Sequence, residues 1–216
     1  MSGRINAELE RLNLELITLG ALCEKAISLS ATAIMSGDGD FAEGVRLTRD
    51  AIIEEKREIE TICLKMLLGK QPDSQDLRTI SAAQRMVIYM DRIGDQALNI
   101  AEIVAIGLTG DASEFGLGDM VSATIKMLSE GIGAFVRHDL ELAHKVIVMD
   151  DEVDELFMAV RRELVGLITK NPDEGERAFD LLMIAKYLER IGDHVVNVAE
   201  WVEFSVTGAH RDGLNV

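Results

Sequence analysis

Apolar residues recur every three or four positions along almost the whole chain, the spacing that gathers them on one face of an α-helix. The recurrence stops at Ser36–Asp40, Gly69–Asp73, Gly107–Gly118, Arg137–Asp139 and Lys170–Asp173. These stretches set residues that end helices, Gly and Asn, beside residues that start them, Asp and Pro. The pattern predicts six helices, roughly 4–36, 40–69, 73–107, 117–137, 139–170 and 173–206.

The six fall into two sets of three. Residues 89–102, YMDRIGDQALNIAE, return 98 positions later as residues 187–200, YLERIGDHVVNVAE. Lys70-Gln-Pro-Asp73 returns as Lys170-Asn-Pro-Asp173, and Asp50-Ala-Ile-Ile-Glu54 as Asp150-Asp-Glu-Val-Asp154, the last pair displaced by 100. An internal repeat of this length predicts two similar three-helix bundles related by a pseudo-two-fold, each helix joined to the next by a short turn. The expected division is 1–108 for the first bundle, 109–116 for a linker, 117–208 for the second bundle and 209–216 for a frayed tail.

Composition sharpens the class. Two prolines and 4% aromatics, with many Leu, Ile, Ala, Glu and Met, point to an all-α protein. The net charge of −16 sets the chain against nucleic acid and anionic lipid and suits it to cations or to basic protein surfaces. The first residues, MSGRINAELERL, lack the apolar core of a signal peptide, and no run of 18 apolar residues offers a membrane span. Cys23 and Cys63 lack metal-ligand spacing and read as reduced core thiols of a cytoplasmic protein.

The chemistry lies in paired carboxylates. Residues four apart lie about 40° from each other around a helix. Asp91 and Asp95 form such a pair, as do Glu189 and Asp193, and on the middle helices Asp50 with Glu54 and Asp150 with Asp154. Asn99 and Glu102 extend the first stripe, and Asn197 and Glu200 the second. In the third helix the apolar seam runs Leu77, Ile80, Gln84, Val87 and then Asp91, a place packing would give to Leu; in the sixth, Glu189 is the intruder. Like charges at this spacing repel, and partial burial raises the cost unless a cation or a proton compensates. Gly94 and Gly192 interrupt both motifs at a cost of roughly 0.5–1 kcal/mol each relative to Ala. Their presence implies a close approach by a neighbouring helix or an ion.

Two oxygen-rich sites for hard or borderline cations follow as one reading: magnesium, calcium, manganese, zinc or iron. The other is a solvated acidic groove, or carboxylates paired with Arg57, Arg92, Arg161 or Arg190. Weaker signals are set aside. Glu141-x-x-His144 occurs once, near a helix start, where di-iron bundles need two copies and more Glu. Asp139 after His138 reads as a helix N-cap. His194 has Gln96 as its counterpart, which argues against a shared ligand role.

The duplicated (Asp/Glu)-Arg-Ile-Gly-Asp phrases, each followed by Asn-x-Ala-Glu, resemble the PhoU family of phosphate-specific transport accessory and regulatory proteins. Asp76-Leu-Arg78 after Gln71-Pro72, Asp139-Leu-Glu-Leu-Ala143 and Asp150-Asp-Glu-Val-Asp154 extend the resemblance over roughly residues 5 to 207. It implies two three-helix bundles and a non-enzymatic cytoplasmic protein that restrains phosphate uptake and phosphate-starvation signalling. The implied partners are the ATPase of a phosphate ABC transporter and a membrane sensor histidine kinase. The resemblance also implies multinuclear metal sites on Asp50, Glu54, Asp91, Asp95, Asp150, Asp154, Glu189 and Asp193, with Glu102 and Glu200 on the same stripes. Asp50-x-x-x-Glu54 departs from the family pattern by ending in Glu. A homodimer is expected. The alternatives are a metal-free acidic scaffold and, third, a carboxylate-bridged metalloenzyme.

Overall fold

The structure, a computed structural model, describes residues 2–36, 41–69, 72–107 and 115–210, with the side chains of residues 2–6 left aside. It contains six long helices: α1 (Ser2–Ser36), α2 (Phe41–Leu68), α3 (Ser74–Gly107), α4 (Leu117–Arg137), α5 (Leu140–Lys170) and α6 (Gly175–Thr207). A 3-10 turn at Pro172–Glu174 leads into α6. The described residues include no β-strand, as the periodicity predicted. Most of the expected linker and of the tail lies outside the described residues.

The ends of the helices follow from local chemistry. Asp73 and Asp76 cap the start of α3 reciprocally: the Asp76 amide donates to Asp73 Oδ1 (2.9 Å) and the Asp73 amide to Asp76 Oδ2 (3.2 Å). Asp139 caps α5 by accepting from the Leu142 amide at 2.9 Å, the role its place in the sequence predicted. Just before it, His138 turns the chain in the left-handed region (φ 52°) and donates its amide to the Phe135 carbonyl. Gly208 closes α6 in the same conformation.

Each half is a bundle in which all three helices touch: α1, α2 and α3 in the first, α4, α5 and α6 in the second. Neighbours in sequence run antiparallel, so that Arg11 near the start of α1 reaches Glu58 near the end of α2. First and third helices run parallel in a fixed register. The Cys23 thiol donates to the Met90 carbonyl and the Ser30 hydroxyl to the Ala97 carbonyl, each spanning 67 positions. The halves join through α3 on α6 and α1 on α4. One apolar core therefore runs through both, from Leu12, Leu16 and Leu19 on α1 to Val195, Val198 and Val202 on α6.

The motif helices place their core stripe beside the anticipated seam. In α3 the buried line is Ile80, Ala83, Met86, Met90, Ile93, Ala97 and Ile100, while Leu77 and Leu98 are partly exposed. In α6 it is Leu181, Ile184, Leu188, Ile191, Val195 and Val198. Asp91 and Glu189 border these stripes and do not interrupt them. Helix α1 is long and apolar enough to cross a membrane by length and composition. Here it is a core helix, packed on α2, α3 and α4.

Because Asp139 satisfies an amide that the first turn of α5 would otherwise leave unpaired, Asp139→Ala should cost about 1 kcal/mol. Urea unfolding checks this: the midpoint should fall with the slope unchanged.

Candidate metal centre

The two motif phrases lie level with each other on adjacent antiparallel helices. Gln75 of α3 donates to the Ser205 carbonyl of α6 (2.9 Å), and the Tyr89 ring lies 6.3 Å from that of His194. His194 is held below the usual imidazole range, chiefly by burial and then by Arg92 and Arg190, the paired arginines of the two phrases. It therefore sits neutral between the halves near neutral pH.

Side chains of the middle helices pack directly over Gly94 and Gly192. A Cβ on Gly94 would lie 3.0 Å from Arg49 Cδ and 3.0 Å from Ile52 Cδ1. A Cβ on Gly192 would lie 2.7 Å from Asp150 Oδ1 and 3.5 Å from Val153 Cγ1. A helix thus explains both glycines, one of the two causes the sequence left open. These contacts also correct the expected alignment of α2 with α5. Ile52 answers to Val153, and the buried Val45, Ile59 and Cys63 answer to Val146, Val160 and Leu164, a displacement of 101 and not 100. Arg49, not Asp50, therefore stands where Asp150 stands.

The first half is closed by its own cations. Arg49, buried among α2 and α3, places Nη2 2.6 Å from Asp91 Oδ1 and 2.7 Å from Asp95 Oδ1, and its Nε donates to Asp95 Oδ1 at 2.8 Å. Lys56 donates to Asp91 Oδ2 at 2.8 Å. The approach of Nη2 to Asp91 is an ion pair and not an aligned hydrogen bond, since Arg49 Nη1 and Asp91 Oδ1 are buried without a hydrogen-bond partner. The exposed Arg92 adds a longer contact to Asp95 Oδ2 at 3.6 Å, and with Asp91 17% and Asp95 35% exposed this is a half-buried, five-membered charge network. Of the partners the sequence offered, Arg92 lies 3.6 Å from Asp95 Oδ2 and Arg57 pairs with Glu54; Arg49 and Lys56, which make the closest contacts to the motif carboxylates, were missed. Asp50 (62% exposed) and Glu54 (71% exposed) point away from the motif, toward Arg46 and Arg57 of their own helix. Glu102 is exposed further along α3.

The second half is different. Asp150 on α5 faces Gly192, and Asp154, Asp193 and Glu189 surround it closely enough to act on its charge. Burial first, then these carboxylates, raise the Asp150 carboxyl to about 6. Only Glu189 has a cation, the Lys186 ammonium one turn before it, which also lies 5.4 Å above the Phe157 ring. Phe157 occupies the register that Lys56 holds in the first half. The Asn197 amide is turned back onto the Asp193 carbonyl at 2.7 Å, and Glu200 is half-buried one turn on.

The two donor sets differ in their fitness for a metal. In the first half a guanidinium and an ammonium already neutralise both carboxylates, and a cation does not fit. In the second, four carboxylates from two helices face one ammonium, and Asp150 is driven toward protonation for want of compensation. That oxygen-only set suits a hard cation in charge and chemistry. The side chains stand apart as they are: among the described residues no three Asp, Glu, His or Cys groups are gathered to hold a metal ion.

The raised Asp150 carboxyl has a stability consequence. A carboxyl raised from 3.8 to about 6 contributes stability that is complete below 3.8 and lost as pH rises through 6. Asp150→Asn should therefore be more stable than the parent at pH 7, by on the order of 1 kcal/mol after solvent screening of this partly solvated group. The gain should shrink as pH falls through 6. Melting curves between pH 4 and 8 check the sign.

Known proteins place this arrangement. The PhoU domain model matches residues 16–104 and again 117–202, one match for each three-helix half. The phosphate-specific transport system accessory protein PhoU homolog of Pseudomonas aeruginosa is 33% identical over 211 residues, 96% of this chain and 87% of that one. The homolog of Clostridium acetobutylicum is 30% identical, covering 95% of both. The crystal structure of PhoU from Pseudomonas aeruginosa superposes with a TM-score of 0.86 over 94% of this chain and 99% of that one, at 33% identity. The phosphate transport system regulatory protein PhoU from Streptococcus pneumoniae gives 0.85 over 95% and 98%, at 26% identity. With both halves matched and the fold shared from end to end, the chain belongs to the PhoU family.

Proposed function

We propose that this protein is a non-enzymatic regulator of phosphate uptake and phosphate-starvation signalling, working in the cytoplasm. Its partners in this reading are the ATPase subunit of a phosphate ABC transporter and a sensor histidine kinase. The observation that carries the reading is likeness over the full length to proteins named as accessory to, or regulatory of, phosphate-specific transport. A chain with a net charge of −16 and an uncompensated carboxylate face is suited to docking basic patches. The cysteines are consistent with a non-catalytic role, since Cys23 and Cys63 are buried, and burial pushes the Cys63 thiol up to about 12 and that of Cys23 higher still. The exposed apolar Leu14 and Ile17, beside the groove between α1 and α4, support a homodimer.

In this reading a divalent or trivalent cation is held by the second-half carboxylates Asp150, Asp154, Glu189 and Asp193, neutralising a face that is otherwise self-repelling. The separation of those side chains favours a second reading on one point, a metal-free acidic scaffold that docks by charge alone.

Deletion of the gene should release phosphate-starvation reporters in phosphate-rich medium, and the tagged protein should capture the ATPase subunit from the same cells. Reporters that stay repressed would overturn the regulatory reading. Glu189→Gln with Asp193→Asn should abolish bound metal, measured as atoms per chain, without unfolding the bundle. Capture that survives a chelator but fails in this variant selects the metal-free scaffold.

A further inference from the structure

We propose that Arg49, seconded by Lys56, is a covalently attached substitute for a metal ion. The first half closes its carboxylate pair with its own guanidinium and takes no multivalent cation from solution. Any metal bound by this chain is thereby confined to the second half, a clause that rests on the cation reading above; the assignment of Arg49 does not.

Three independent observations carry this. The first is register. The β-branched residues Val45, Ile52 and Ile59 on α2, and Val146, Val153 and Val160 on α5, are buried in both halves and fix which positions correspond. Arg49 then falls on Asp150, and Lys56 on Phe157. Both positions that carry cations in the first half lack them in the second.

The second is geometry. One Arg49 nitrogen lies 2.6 and 2.7 Å from oxygens of two different carboxylates, bridging Asp91 and Asp95 as a cation between two ligands would. Gly94 leaves room for the approach, since a Cβ there would lie 3.0 Å from Arg49 Cδ. In the second half the corresponding glycine admits an acid, and the bridge is absent.

The third is charge. In the first half two carboxylates meet Arg49 and Lys56, with the more exposed Arg92 3.6 Å from Asp95 as a third cation, so a further multivalent ion would leave excess positive charge in a half-buried setting. Entry of a metal would require Arg49 to leave a site where it is 9% exposed. In the second half four carboxylates meet one ammonium.

The test uses the full chain and Mn²⁺ and Zn²⁺ as probes, in a background with the second half silenced by Asp150→Asn, Glu189→Gln and Asp193→Asn. With Arg49 intact, this background should bind neither ion by calorimetry. Arg49→Asp in the same background should bind at least tenfold more tightly. In the otherwise natural chain, Arg49→Gln should lower the melting temperature by about 5 °C, and millimolar Mn²⁺ should restore it. Arg49→Lys, which keeps the charge, should remain insensitive to the ion.

One equivalent of tight binding in the silenced chain with Arg49 intact would overturn the proposal. So would an Arg49→Gln variant that Mn²⁺ leaves unchanged. A natural chain that binds no metal, together with an Arg49→Gln variant rescued by Mn²⁺, would sustain the proposal while sinking the cation reading of the second half.

Discussion

The carboxylate faces depend on how near α2 comes to α3, and α5 to α6, at Gly94 and Gly192. A β-carbon at either position would press on a side chain of the partner helix, so its absence leaves the space that Arg49 and Asp150 occupy. In the first half Arg49, opposite its glycine, contacts Asp91 and Asp95, and in the second Asp150 comes near enough to Glu189 and Asp193 to feel their charge. The same backbone geometry then gives two electrostatic outcomes. Arginine opposite the glycine makes a closed ion network, and aspartate makes a crowd of like charges that shifts a carboxyl to about 6. Packing sets the place, and one side chain sets the sign.

Much of this was legible in the sequence. The six helices follow from apolar periodicity, and their ends from Asp139, Pro172 and the Asp73–Asp76 cap, because those signals are local. The repeat of the motif phrase was legible because α3 and α6 share both sequence and register. The middle helices were misaligned by one residue because acids were matched to acids: Asp50 with Asp150, Glu54 with Asp154. On a helix one residue is a rotation of about 100°, enough to turn a site residue outward to solvent. The correct signal was present in the sevenfold spacing of Val45, Ile52 and Ile59 against Val146, Val153 and Val160. Buried β-branched residues report register more faithfully than charged ones, which serve either face. Arg49 was missed for the same reason, since nothing local separates an arginine that bridges two helices from one that lies in water.

Helix α1 carries a second instance of context overriding pattern. Its composition alone passes for a membrane span, yet its apolar residues are distributed around three partners, α2, α3 and α4. A helix enclosed by neighbours on several sides is apolar over much of its circumference for that reason. Leu14, Ile17 and Met35 are large apolar residues of that circumference that the bundle leaves exposed.

The inequality between the halves has a consequence for orientation. A body built from a repeated unit offers an approaching protein two nearly equivalent poses, related by the internal two-fold, and shape alone would populate both. Arg49 makes one of the two motif faces locally neutral, while Asp150 leaves the other strongly negative. For a basic surface such as the proposed function invokes, the field of the second face would favour approach to one end before any contact forms. A single exchange of arginine for aspartate between repeats thus turns a two-faced body into a vector, on which diffusion alone would tell one pose from the other.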